Sequence, residues 1–363
     1  MLSLYIGPRN YVTGRGILNK IGEEVKKIAE SVVLLYDKNV AEIEKNIEEY
    51  LNKSGIKYSA VEFGGECSYP EIERISEIVK AGNFDAIAGV GGGKIMDTVK
   101  AVGFSAKVKS ITIPTNAATC AAWSSHSAIY TETGTAYEYF NFNKNADLLF
   151  LDKEVVAKAP VRHLIAGIAD TIAKWIETDV SSKKIVNKNT EVEIAVFLAK
   201  KCYEDMEKYG EKAVNDVKNG IYTDEVDKTI ETIIITAGLV GGIGGEACRA
   251  VASHAVNNGF TVIPSRYKNC MHGESVGFGN IVQLFLDNKE MEYIQNIINL
   301  YKRIGIPLSM EEFGYNDLSE DELDKIVNRS IYKNDTMSNL PYNITFEKVK
   351  EAFLKAEETL KGK

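Results

Sequence analysis

Short apolar runs alternate with amphipathic stretches through the first 150 or so residues; beyond them, apolar positions recur almost only at helical spacing. SVVLLYD (31–37), FDAIAGV (84–90) and SITIPT (110–115) are short β-branched or aliphatic runs that read as strands, and SAIYT and DLLFLD read as two more. Between them VAEIEKNIEEYLNKSG, EIERISEIVKAGN and KIMDTVKAVGFSA carry the helical pattern. This alternation predicts a parallel sheet with helices on both faces. Near DKEVVAKAPVRH the pattern changes. LIAGIADTIAKWIETDV, EVEIAVFLAKKCYEDMEKYG, DEVDKTIETIIITAGLVG and FEKVKEAFLKAEETLKG all read as helices. The expected architecture is an α/β domain over residues 1–160, a Rossmann-like variant, followed by an all-α domain over 161–363.

Composition narrows the class. The 363 residues suffice for two cores, and 45% hydrophobic with 26% charged residues is ordinary for a globular protein. A net charge of −8 argues against nucleic acid or an anionic membrane surface as partner. The segment MLSLYIGPRNYVTG lacks a basic region followed by an apolar one, so no signal peptide is expected. No apolar stretch of about 18 residues suggests a membrane span. Five scattered cysteines without a CxxC read as free thiols, which predicts a cytoplasmic protein.

Candidate chemistry lies in both halves. The chain has four histidines. His254 (AVASHAVNNGF) and His272 (CMHGESVGFG) lie in small-residue or Gly-flanked stretches, and Asp170 (GIADTIAKWIE) supplies a carboxylate. One carboxylate and two imidazoles leave a position open on a tetrahedral divalent ion, the pattern of a catalytic site. In the first half, Gly89-Val-Gly91-Gly92-Gly93-Lys94 follows a strand and opens a helix, so it reads as a phosphate-binding turn or as a tight connection only. It matches neither G-x-G-x-x-G nor a Walker A loop. Asp37 ends the first strong strand, where a carboxylate can bind ribose hydroxyls or cap the next helix. A ribose-binding carboxylate would repel a 2′-phosphate and so favour NAD over NADP. It precedes the glycine turn by about 50 residues, the reverse of the usual dinucleotide-fold order. PTNAAT (114–119) reads as a nucleotide contact or as a capped loop.

FGGECSYPEIER, GVGGGKIMDTVKA, IPTNAAT…SAIYT, APVRHLIAGIADTIAKWIE, SHAVNNGFTVIP and MHGESVGFG, in this order, resemble the glycerol dehydrogenase branch of the metal-dependent (iron-containing) alcohol dehydrogenase superfamily. The resemblance implies an N-terminal nucleotide-binding domain, a helical metal-binding domain and an active site between them. It places the metal on Asp170, His254 and His272 and the adenosine ribose on Asp37. Gly92, Gly93 and Lys94 would hold the pyrophosphate, and Asp97, Thr115, Thr119, Ser124 and Tyr130 would line the cofactor cleft. It further implies a homo-oligomer with a small-molecule partner. Iron-type members carry a histidine four residues after the aspartate. Lys174 stands there and cannot ligate while protonated, which favours zinc over Fe²⁺; the competing reading makes Lys174 a helix-surface partner of Asp170. The implied reaction passes a hydride between a small polyol and NAD through a metal-bound alkoxide. His126 reads as a packing or cofactor-edge residue, and His163 as a surface or capping residue.

Several positions depart from the glycerol dehydrogenase pattern, among them His126 in place of a loop leucine. Cys120 stands where those enzymes carry a polyol-contacting aspartate, Trp123 adds bulk nearby, and Cys248-Arg249 replaces a Gly-Gly pair. Arg249 could pair with a substrate carboxylate or phosphate, or form a salt bridge elsewhere. These departures keep open an enzyme resembling the sn-glycerol-1-phosphate dehydrogenases. A lyase resembling 3-dehydroquinate synthase and a non-catalytic nucleotide-binding protein are the readings from other classes.

Overall fold

Ser31–Tyr36 (β2), Ala86–Gly91 (β4), Lys109–Pro114 (β5) and Leu148–Asp152 (β8) form the centre of a parallel sheet because their apolar runs are almost wholly buried. The computed structural model describes residues 3–185 and 187–362. Asn10–Gly14 (β1) and Lys57–Glu62 (β3) complete the sheet at its edges, in the order β1-β8-β5-β4-β2-β3 with every pair parallel. Both edge strands are partly exposed, so they lack the solid apolar runs that mark the inner strands. One sequence expectation needs correction. SAIYT lies outside the parallel sheet: His126–Tyr130 (β6) pairs antiparallel with Ala136–Asn141 (β7) in a separate hairpin.

Ile21–Lys26 (α1), Ala41–Lys53 (α2), Tyr69–Ala81 (α3), Gly93–Ser105 (α4) and Lys153–Ala157 (α5) complete this first unit, Met1–Pro160. Its core joins Val32, Leu34, Ala88, Val90, Ile111 and Phe150 of the sheet to Ile21, Val25, Ile47 and Leu51 of α1 and α2.

The second unit, Val161–Lys363, is helical. It contains Val161–Ser181 (α6), Thr190–Lys218 (α7), Asp224–Glu231 (α8), Ala237–Gly244 (α9), Ala252–Phe260 (α10), Pro264–Tyr267 (α11), His272–Leu286 (α12), Met291–Ile304 (α13), Glu320–Ser330 (α14) and Phe346–Lys361 (α15). Helix α12 is buried along nearly its whole length, as a helix apolar or small-residued on all sides requires. Its glycines set the spacing. A Cβ on Gly273 would lie 1.8 Å from the Ala166 carbonyl oxygen, and one on Gly279 would lie 2.4 Å from that of Ser253. Only glycine lets α12 approach the backbones of α6 and α10 this closely.

The expectation of no long apolar stretch also changes. The helical run Asp224–Cys248 is long and apolar enough to cross a membrane by length and composition, criteria that the core helix of a soluble protein also meets. The five cysteines are free.

Candidate active site

Helix α6 presents Asp170, Lys174 and Glu177 along one face, at i, i+4 and i+7. Helix α10 contributes His254 and the first residue of α12 is His272. The donor atoms of Asp170, His254 and His272 all lie within 4.8 Å of one another. Oδ1 of Asp170 is 3.2 Å from Nε2 of His254 and 3.9 Å from Nε2 of His272. Asp170 and His254 are buried and His272 is half-buried.

Glu177 orients this cluster, and the sequence reading missed it. Its Oε2 lies 2.7 Å from Nδ1 of His254, which leaves Nε2 to face Asp170. Its Oε1 accepts the backbone N–H groups of Val251 (2.7 Å) and His254 (3.1 Å). Oε1 of Gln283 accepts those of Ala252 and Ser253, both at 3.1 Å. The first turn of α10 is thus capped by two side chains from other helices, because Val251 at the cap position has no polar side chain of its own. The available signal for Glu177 was its spacing, two helical turns after Asp170 on the same face. The start of α12 is fixed by Glu274, which takes two bonds from Arg162 (2.5 and 2.7 Å) and one from the Met271 N–H (2.9 Å).

The charges in the cluster are coupled. Burial works against ionised Asp170, yet Lys174, His254 and His272 hold its carboxyl well below the usual range. Burial presses the His254 imidazole down, but Glu177 and the hydrogen bond that His254 donates to Asp170 lift it to about 9. Burial, with the charges of His254 and Lys174, lowers His272 to about 4 despite the opposing pull of Asp170. Nζ of Lys174 sits 3.4 Å from Oδ1 of Asp170 with its side chain only 16% exposed, so it is an inward partner of the aspartate and not a solvated surface one.

In the first unit, β2 and β4 are neighbours, and the Asp37 N–H bonds the Val90 carbonyl (3.3 Å). Asp37 and the Gly92-Gly93 turn therefore emerge side by side at the carboxyl ends of adjacent strands. β3 lies on one side of β2 and β4 on the other, so this is where the chain reverses its direction of travel across the sheet. Asp37 also accepts the Asn39 N–H (2.8 Å), so the capping contact exists. Gly92 and Gly93 open α4. A Cβ on Gly92 would lie 3.0 Å from Nδ2 of Asn116 and one on Gly93 3.0 Å from Oγ1 of Thr119, so glycine at both keeps this turn close against residues 116–119. The buried Thr115 donates its N–H to the Gly91 carbonyl (3.0 Å). Lys94 pairs with Glu66 at 2.5 Å and lies over the Tyr130 ring, whose hydroxyl burial pushes far up.

Asp97 and Ser124 are buried and both bond Lys100. The buried Lys100 pairs with Asp97 (2.9 Å) and donates to the carbonyls of Ala121, Ser124 and His126 and to the Ser124 hydroxyl. Asp97 also accepts the Ala128 N–H (3.2 Å). This ion pair ties α4 to residues 121–128. Cys120 accepts the N–H groups of Trp123 and Ser124 at its carbonyl. Trp123 is buried, donates to the Ile6 carbonyl (2.9 Å) and packs edge-on against Tyr11. His126 stacks edge-on with Tyr139, and His163 lies in the first turn of α6. Arg249 pairs with the exposed Glu246 at 2.7 Å.

Residues 8–153 match the family model described as iron-containing alcohol dehydrogenase. The chain is 33% identical to a glycerol dehydrogenase of Citrobacter freundii, with 98% of each chain covered. It is also 33% identical to a glycolaldehyde reductase of Halobacterium salinarum, over 99% of this chain and 98% of that one. Among solved structures, the glycerol dehydrogenase of Schizosaccharomyces pombe superposes with a TM-score of 0.90 at 29% identity, over 99% of this chain and 92% of that one. With likeness sustained over nearly its whole length, the chain belongs to the iron-containing alcohol dehydrogenase family of alcohol and polyol oxidoreductases, in its glycerol dehydrogenase branch.

Proposed function

We propose that the protein is an NAD-dependent, zinc-dependent dehydrogenase that interconverts a small polyol and its carbonyl form. The observation that carries this is the convergence of Asp170, His254 and His272. One carboxylate and two imidazoles suit a divalent ion with an open position, and Glu177 already holds His254 in the orientation a ligand needs. Lys174 in place of a fourth protein ligand favours zinc. A divalent ion held there would polarise the reacting oxygen.

For the dinucleotide, the support is the pairing of Asp37 with the glycine turn at the point where strand order reverses. The N-terminus of α4 offers unpaired N–H groups to a pyrophosphate, and the absence of side chains at Gly92 and Gly93 lets it come close. Asp37 would hold the ribose hydroxyls through the carboxylate face its cap leaves open, repelling a 2′-phosphate. The same reading gives Lys94, Asp97, Thr115, Thr119, Ser124 and Tyr130 to the cofactor cleft, with Lys100, bonded to Asp97 and Ser124, positioning the loop beneath it.

The test combines metal analysis with cofactor choice. Purified protein should hold about one zinc per chain, lost in Asp170→Asn and His272→Ala together with activity toward glycerol. Full activity in those variants, or equal rates with NAD and NADP, would refute the respective half of the proposal.

A further inference from the structure

The ammonium in the first turn of α4 already has an anion. Nζ of Lys94 lies 2.5 Å from Oε1 of Glu66, which stands in the connection between β3 and α3. The turn between β6 and β7 closes over the same oxygen: a Cβ on Gly134 would lie 3.3 Å from it. The second oxygen, Oε2, is buried and accepts no hydrogen bond among the described residues. An ionised carboxylate has acceptor sites on both oxygens, and leaving one buried and unbonded is costly. Glu66 therefore sits where only half of its bonding capacity is met.

The backbone around it is tied down. The Ser68 N–H bonds the Glu66 carbonyl (2.9 Å), the Tyr130 N–H bonds the Cys67 carbonyl (2.8 Å) and the Gly64 N–H bonds Glu71 (2.8 Å). The paired side chains are less enclosed, with Lys94 48% exposed and Glu66 23% exposed. Water screens such a pair, so it can be exchanged for another partner. While it lasts, it occupies the charge a phosphate would seek. It also sets a negative group beside a helix start, where an anion is otherwise favoured.

We propose that Glu66 is a built-in competitor for Lys94: its carboxylate holds the ammonium until a pyrophosphate displaces it, and so sets how tightly the site takes phosphate-bearing ligands. This rests on the reading of Gly92, Gly93 and Lys94 as the pyrophosphate seat. On displacement the Glu66 side chain turns out to solvent over a fixed backbone. Water then satisfies both of its oxygens, which offsets the ion pair it gives up.

The test reads binding without turnover. Wild type, Glu66→Gln, Lys94→Met and the double variant are titrated by calorimetry with NAD⁺, ADP and adenosine. Glu66→Gln keeps the size of the side chain and removes its charge. It should bind NAD⁺ and ADP about fivefold tighter or more, the scale of one charge-assisted hydrogen bond released to a new partner, and adenosine as wild type does. In the Lys94→Met background the same change should lose most of that gain. An undiminished gain there, or equal tightening of adenosine, overturns the competition for Lys94. Weaker NAD⁺ binding by Glu66→Gln would make Glu66 a ligand contact, and unchanged binding would make the pair incidental; either overturns the inference alone. A wild type that binds neither NAD⁺ nor ADP overturns the pyrophosphate reading and this inference with it.

Discussion

Oε2 of Glu177 lies 2.7 Å from Nδ1 of His254, while Oε1 of the same carboxylate holds the backbone of the helix that carries this histidine. One side chain therefore sets both the tautomer of the ring and the position of its helix. Glu177→Gln keeps the shape but loses the charge-assisted bond. Zinc affinity, measured by competition with a chromophoric chelator, should fall about 10–100-fold, the usual cost of removing such an orienting partner. Unchanged affinity would show that the bond is incidental.

Protonation of His254 opposes metal binding. Against burial, Glu177 and Asp170 raise its value to about 9 from the ordinary 6.5. The folded chain therefore keeps a proton that the unfolded chain gives up between those two values. This stabilisation is fully present below 6.5 and is lost as pH rises through 9. Thermal scans of metal-free protein should show a falling melting temperature over that window. Zinc needs the neutral ring, so zinc binding near pH 7 should release about one proton, with the release fading above pH 9. Calorimetry in buffers of different ionisation enthalpy reads this directly.

Gly273 has no room for a side chain. Its Cβ would meet the Ala166 carbonyl oxygen at 1.8 Å, backbone that cannot turn aside. Gly273→Ala should push α12 off α6, destabilising the protein by about 3 kcal/mol or more, at the upper end of overpacking costs. Denaturant unfolding measures it. Because His272 is the neighbouring residue, zinc affinity should fall in the same variant.

Lys100→Met would leave Asp97 buried without its cation, and burial already pushes that carboxyl up against the pull of Lys100. Breaking a buried pair on one side costs about 3–5 kcal/mol. The double variant Asp97→Asn/Lys100→Met should recover part of this. A single variant as stable as wild type by denaturant unfolding would mean that the pair does not hold residues 121–128 in place.

By itself the sequence determined the class of each half. The inner strands could be read because a sheet covered on both faces demands unbroken apolar runs such as SVVLLY. The helical half showed itself by its period, and the family by motifs spread in order along the chain. Edge strands β1 and β3 and the hairpin strand β7 escaped, since partial exposure leaves their sequences mixed. The tertiary structure alone decided which residues meet. Strand order puts Asp37 beside a glycine turn about 50 residues later in the chain, because β3 packs outside β2 and leaves its inner flank to β4. Close helix packing at Gly273 and Gly279 brings α6, α10 and α12 together, and with them Asp170, His254 and His272. It also decided what surrounds them. Periodicity places Lys174 and Glu177 on one face of α6, but only packing turns that face inward, where an ammonium and a carboxylate that water would screen instead set the charge of the site.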